Sequence, residues 1–339
     1  MRARKIILVL VMLSLVLSVA GAGCGPTPVP KKVLVYAALD EATLTALVKA
    51  FKGKTGLDVE YVRLGAGDIT ARVRAEKDAP KADVFIGGSS EMHDPLGKEG
   101  LLLKYRSPVA KDIPSQYLDA NEYWHGWYLG VLGIVLNTDR FSKELAPKGV
   151  NKPATWDDLL DPAWKGHFTT SNPATAGGAY IFLCNQIFRL GEDGAWEYFK
   201  KLHTNVAQYT PSAPGPISLA ATGQFIAGMS WGHDILASKK QGNPVELIIP
   251  PDTAFEIGSI SIIKGGPNPD GAKKFVDFIL GKEAGQINVD NGLRISARAD
   301  VSPAPGGVTL DKVKLVKYDR TWAMENRDRL LKKWADTIK

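Results

Sequence analysis

The chain is 339 residues long, 45% hydrophobic and 23% charged, with a formal net charge of +6; its length points to two domains, and its composition excludes collagen, coiled coil or bulk disorder. Three of the six positive charges are Arg2, Arg4 and Lys5, ahead of any acidic residue, so the rest carries only +3 and no nucleic-acid partner is expected. The two cysteines, Cys24 and Cys184, allow neither a disulfide framework nor a CxxC metal or redox pair.

Residues 1–23 have the pattern of an export signal peptide: a basic start, an apolar run Ile6–Val19, and small residues Ala20 to Gly23. The run is shorter than the roughly 20 residues of a membrane span, which disfavours the alternative of an uncleaved anchor. A small residue directly before Cys24 resembles the bacterial lipobox, although Gly21 stands where that pattern prefers Leu. The resemblance implies lipidation at Cys24, with residues 24–32, rich in proline, as a linker. Cys184, in the apolar stretch AYIFLCNQIF, reads as an inert core residue.

From residue 33 onward, β-branched runs alternate with helical patterns. VLVYAA (33–38) reads as a strand and Asp40 as the N-cap of the helix that follows; VEYVRL (59–64) and ADVFIGG (82–88) read as further strands, each followed by a helix. Near Trp127 the segment GWYLGVLGIVLN loses helical period and reads as strands crossing between domains. The alternation then resumes with helix TWDDLLD, strand HFTTS (167–171), two helices between 176 and 202, and strand VAQYT (206–210). A helix near 217–222, strand IAGMSW, helix ILASKK, strand VELIIP (245–250) and strand EIGSISII (256–263) follow. Asn268 caps an amphipathic helix, and TWAMENRDRLLKKWADTI closes the chain as a charged helical segment. Such alternation implies βαβ units and a mostly parallel sheet.

Two motifs carry less than they suggest. GMSWG (228–232) matches a nucleophile elbow, but the only histidine after Ser230 is His233, with no acid between them, so a serine hydrolase triad cannot form in order. GAGDIT (65–70) lacks the third glycine of a dinucleotide fingerprint, having Thr70 there. More informative is a set of small-residue loops at predicted strand ends: GAG (65–67), GGSS (87–90), NPATAGG (172–178), TPSAPG (210–215) and WGHD (231–234). Helix N-termini behind such loops favour an anion. The candidate ligand-binding residues are Gly65, Ala66, Gly67, Gly88, Ser89, Thr175, Ala176, Gly177, Ser212 and Ala213.

VLVYAALDEATLTALVKAFKGKTGLDVEYVRLGAG, ARVRAEKDAPKADVFIGG, TWDDLLDPAWKGH and PDGAKKFVDFILGKEAGQ resemble the ferric-iron-binding protein family of ABC-importer receptors and its non-iron relatives. The resemblance implies an α/β, two-lobed periplasmic binding protein-like fold (type II), each lobe a mixed sheet flanked by helices, with hinge crossover strands between the lobes. Lobe 1 is then 33–128 and 255–339, and lobe 2 is 129–254, with the second crossing near Pro250–Gly258. Iron binders of the family use an adjacent tyrosine pair where this chain has Trp231, Gly232, His233 and Asp234, and none of its ten tyrosines is adjacent to another. His233, Asp234 and Glu256 are similar to residues that sugar-phosphate-binding relatives present to a hexose. Trp231 is expected beneath the turn, in the core. The resulting expectation is an extracytoplasmic, lipid-anchored, monomeric receptor. It captures a small anionic ligand, a sugar phosphate or phosphonate, and delivers it to the transmembrane subunits of an ABC permease. No cofactor, metal, catalytic residue or nucleic-acid partner is expected; the alternatives are ferric iron, then a polyamine, thiamine or a serine hydrolase.

Overall fold

The computed structural model describes residues 32–338; the expected export signal, Cys24 and nearly all of the expected linker lie outside them. The first elements are β1 (Lys32–Ala38), α1 (Glu41–Thr55), β2 (Asp58–Arg63), α2 (Ala66–Ala75), β3 (Val84–Ser89) and α3 (Ser90–Lys98). β1 pairs in parallel with both β2 and β3. α1 starts where Asp40 accepts from the Thr43 N–H, and buries Leu44, Leu47 and Phe51, apolar positions at helical spacing. Phe51 meets Phe275 edge-on at 5.0 Å in the first core.

After β4 (Leu102–Leu103) comes β5 (His125–Asn137), 13 residues buried throughout, followed by α4 (Thr138–Glu144). The helix expected at TWDDLLD is instead two 3₁₀ turns, Asp157–Leu160 and Pro162–Trp164. Asp158 turns back to accept from the Ala154 and Thr155 N–H groups, and Pro162 cannot donate to a continuing helix. β6 (Phe168–Ser171), α5 (Gly177–His203), β7 (Val206–Thr210), α6 (Gly215–Ala221), β8 (Ala227–Trp231), α7 (Gly232–Lys240) and β9 (Val245–Ile248) build the second half. α5 breaks at Gly191 (φ 75°), between the two helices read from sequence. Cys184 is fully buried in this core, beside Ile181 and Leu183.

β10 (Phe255–Ile263), α8 (Pro269–Ile279), α9 (Lys282–Gly292), β11 (Ile295–Ser296), α10 (Arg320–Glu325) and α11 (Arg327–Thr337) complete the described chain. The Asn268 cap forms as expected, its side chain accepting from the Gly271 N–H. α9 and β11 were not read from sequence.

The strand order is β2-β1-β3-β10-β5-β8-β6-β7, with β4 on β10 and both β9 and β11 on β5. Residues 125–131 of β5 pair antiparallel with β10, and residues 132–137 pair with β8 and β9. One strand therefore belongs to both halves. The return crossing runs beside it: Leu132 N–H donates to Ala254 O at 3.0 Å, and Thr253 Oγ1 donates to Leu132 O at 3.1 Å. The fold is two α/β lobes joined by crossover strands. The C-terminal helices differ from the sequence expectation, which gave 255–339 to lobe 1: Ala323, Leu330 and Trp334 pack in the second core, with Trp334 edge-on to Phe199 at 5.2 Å. Their apolar stripe matches the flank of α5, a pairing that local pattern does not specify.

Candidate functional site

A cavity of about 600 Å³ lies where the two halves face each other. That is within the usual range for small-molecule sites. Of the thirteen residues expected to bind ligand, twelve line it: Gly65, Ala66, Gly88, Ser89, Thr175, Ala176, Gly177, Ser212, Ala213, His233, Asp234 and Glu256. Gly67 does not. Its backbone instead presses on the other half, and a Cβ there would lie 2.3 Å from the Thr175 carbonyl oxygen. Only glycine allows that approach.

One end of the cavity is built from helix starts. α2, α3 and α5 begin behind Gly65, Ser89 and Ala176, and none of these N-caps closes its first turn with a side-chain hydrogen bond. The first-turn N–H groups and the helix dipole stay available to negative charge. Ser89 Oγ is buried and has no hydrogen-bond partner among the described residues. It lies 3.0 Å from where a Cβ of Gly177 would stand, so it faces the start of α5. Ser212 and Ala213 are held by their carbonyls: Ser171 Oγ and Thr210 Oγ1 donate to Ser212 O, and Ser230 Oγ donates to Ala213 O at 2.7 Å. Ser230, the central residue of GMSWG, thus ties a loop.

The other end is a cluster around Arg294, which sequence reading missed. Its guanidinium is buried, 2.8 Å from Asp40 and 3.5 Å from Asp234, and stacks over the Tyr128 ring at 5.1 Å. Burial opposes its charge, but Asp234, Tyr128 and Asp40 outweigh that and hold it protonated. Burial raises Asp234 to about 6 against the pull of Arg294, and raises Glu256 well above the usual carboxylate range. Burial also depresses His233, so the imidazole is neutral, and Arg294 adds to the effect. His233 Nδ1 has no partner among the described residues. Gly130 makes the space: a Cβ there would meet the His233 ring at 2.6 Å and Glu256 Oε1 at 3.0 Å. Trp231 is both core and wall, stacked on His233 at 6.3 Å. Asp40 was legible as a helix cap and Tyr128 as part of a crossing strand, but neither carried a signal that it faces a cavity. The lone Arg294 carried none at all.

Two lobes, two crossing strands and a polar cavity between them define an extracytoplasmic solute receptor of an ABC importer. The chain belongs to the bacterial extracellular solute-binding protein family, whose model matches residues 79–320. An uncharacterised protein of Haemophilus influenzae is 34% identical over 91% of both chains. A Salmonella typhimurium protein, provisionally named as a 2-aminoethylphosphonate-binding periplasmic protein, is 26% identical over 75% of this chain and 74% of its own. Among solved structures, the periplasmic binding protein AfuA of Actinobacillus pleuropneumoniae, described with exogenous fructose-6-phosphate bound, is 34% identical. It superposes with a TM-score of 0.86 over 91% of this chain and 98% of that one. An apo ferric ion-binding protein of Pasteurella haemolytica, 19% identical over 91% of this chain and 98% of its own with a TM-score of 0.75, shares the fold.

Proposed function

We propose that this protein captures a sugar phosphate, or a phosphonate of similar size, between its two lobes, and delivers it to the permease while tethered to the membrane through Cys24. The observation that supports this reading is the meeting of three uncapped helix starts, those of α2, α3 and α5, at one end of the cavity, with the buried, unpartnered Ser89 hydroxyl among them. Helix N–H groups and a hydroxyl suit phosphate oxygens. The opposite end, with His233, Asp234 and Glu256, offers both donors and acceptors to hydroxyl groups. The 34% identity to a protein described with fructose-6-phosphate bound supports a ligand of this class.

Ferric iron favours anionic oxygen ligands. Tyr128 is the one tyrosine on the cavity wall among the described residues, and burial, with Glu256 nearby, keeps its hydroxyl protonated well above 10. The deciding experiment is a thermal-shift and calorimetric panel of fructose 6-phosphate, 2-aminoethylphosphonate, spermidine and ferric citrate. A ligand at 100 times its Kd stabilises by about 2.7 kcal/mol. Stabilisation by the phosphate or the phosphonate is expected; stabilisation by spermidine or ferric citrate alone overturns the reading.

A further inference from the structure

Arg320, at the start of α10, reaches away from the second core and joins two segments that border the cavity. Its Nη1 donates to Glu91 Oε1 at 3.0 Å, and its Nη2 donates to the Phe255 carbonyl at 2.5 Å. The guanidinium lies between the rings of Phe255 and Tyr318, at 4.5 and 5.1 Å. Glu91 is fully buried in the first turn of α3, two residues after Ser89. Phe255 is the residue before Glu256 on β10. One side chain from the C-terminal helix therefore holds the neighbours of a cavity hydroxyl and of a cavity carboxyl. α10 is anchored on the other half by Tyr180 Oη, which donates to Ala323 O, and α11 by Arg329, which pairs with Glu192 at 2.8 Å.

Electrostatics give the contact a further consequence. A carboxylate in the first turn of a helix suits the helix dipole but cancels its attraction for an outside anion. Glu91 stands at the uncapped start of α3, and the Arg320 charge is its counterweight.

We propose that Arg320 is a positioning residue for the anion end of the cavity: it neutralises Glu91, so that the start of α3 stays attractive to an anion, and it fixes Ser89 and Glu256 in one frame. The electrostatic half rests on the phosphate reading above; the positional half does not. The test compares the parent, Arg320→Gln, Arg320→Lys and the double variant Glu91→Gln/Arg320→Gln. Binding of fructose 6-phosphate is followed by calorimetry, and amide hydrogen exchange is followed in the ligand-free proteins. Arg320→Gln is expected to weaken binding at least tenfold and to speed exchange at both 89–92 and 255–257, leaving 41–55 unchanged. Arg320→Lys should recover part of the affinity. The double variant should recover most of it, because the uncompensated charge is gone; a purely structural role would leave it as weak as Arg320→Gln or weaker. A double variant no tighter than Arg320→Gln overturns the electrostatic half, and unchanged exchange at both segments overturns the positional half. If the parent binds no fructose 6-phosphate, the phosphate assignment and the electrostatic half fall together, and exchange alone decides the positional half.

Discussion

Arg294 Nη1 lies 2.8 Å from Asp40 Oδ2, joining the end of α9 to the cap of α1 across 254 residues of sequence. Asp40 also accepts from the Thr43 N–H through Oδ1, so one carboxylate caps a helix and anchors the guanidinium that faces Asp234. Arg294→Met leaves Asp40 and Asp234 without their cation. Breaking a fully buried pair from one side costs about 3–5 kcal/mol; both carboxylates here are partly exposed, so the loss should be smaller than that but still lower the ligand-free melting temperature. Asp40→Asn keeps a capping oxygen and should cost far less; equal losses in the two variants would disprove the asymmetry.

Glu256 makes stability depend on pH. Its folded-state pKa lies well above the ordinary value, so between the two the folded protein keeps a proton that the unfolded chain releases. Stability then falls as pH rises through that interval, by up to about 1.4 kcal/mol per pH unit. Glu256→Gln removes the loss. Relative to the parent, its melting temperature should be higher at pH 8 than at pH 4.5, and a gap that does not change with pH would rule this out.

Ser89 offers a separation of binding from folding. Its hydroxyl has no partner among the described residues, so Ser89→Ala should leave the ligand-free melting temperature nearly unchanged. A hydrogen bond to a charged group contributes about 1.5–3 kcal/mol. Affinity for fructose 6-phosphate, measured by calorimetry, should therefore fall by roughly 10- to 150-fold.

Gly67 marks where the two halves touch. A methyl group there would stand 2.3 Å from the Thr175 carbonyl oxygen, so Gly67→Ala should prop the cleft open. Small-angle scattering should report a larger radius of gyration, and fructose 6-phosphate should bind at least tenfold more weakly. An unchanged radius with full affinity would show that the contact is dispensable.

Asp234 adds a pH dependence of binding. Burial raises its pKa to about 6, so it gains charge, and strength as an acceptor for ligand hydroxyls, as pH rises through 6. Phosphate esters ionise near the same pH. The change in affinity between pH 5 and 7.5 should therefore shrink in Asp234→Asn without vanishing; an unaltered profile would show that Asp234 takes no part.

Much of the fold was legible because it is local. The β-branched runs, the caps at Asp40 and Asn268 and the break near Gly191 each act within a few residues, and they form as read. The exception at TWDDLLD is local as well: Asp158 and Pro162 divert the backbone more strongly than the surrounding pattern favours a helix. The loops of small residues were legible for the same reason, since glycine, serine and threonine before a helix describe their own geometry. Arg294, Tyr128 and the C-terminal helices were not. A single arginine in a helix-ending segment looks the same whether it meets water or two carboxylates.

The sequence by itself determined a nearly neutral α/β body behind an export-like leader, with loops of small residues ahead of several helices. Only the tertiary structure decided that several helix starts border one cavity, that Arg294 lines the same cavity, and that the C-terminal helices lie across to the second lobe. The physical reason is range. Capping and periodicity are settled within one or two helical turns, whereas a buried charge is stable only where distant parts of the chain bring its counter-charges within a few ångströms.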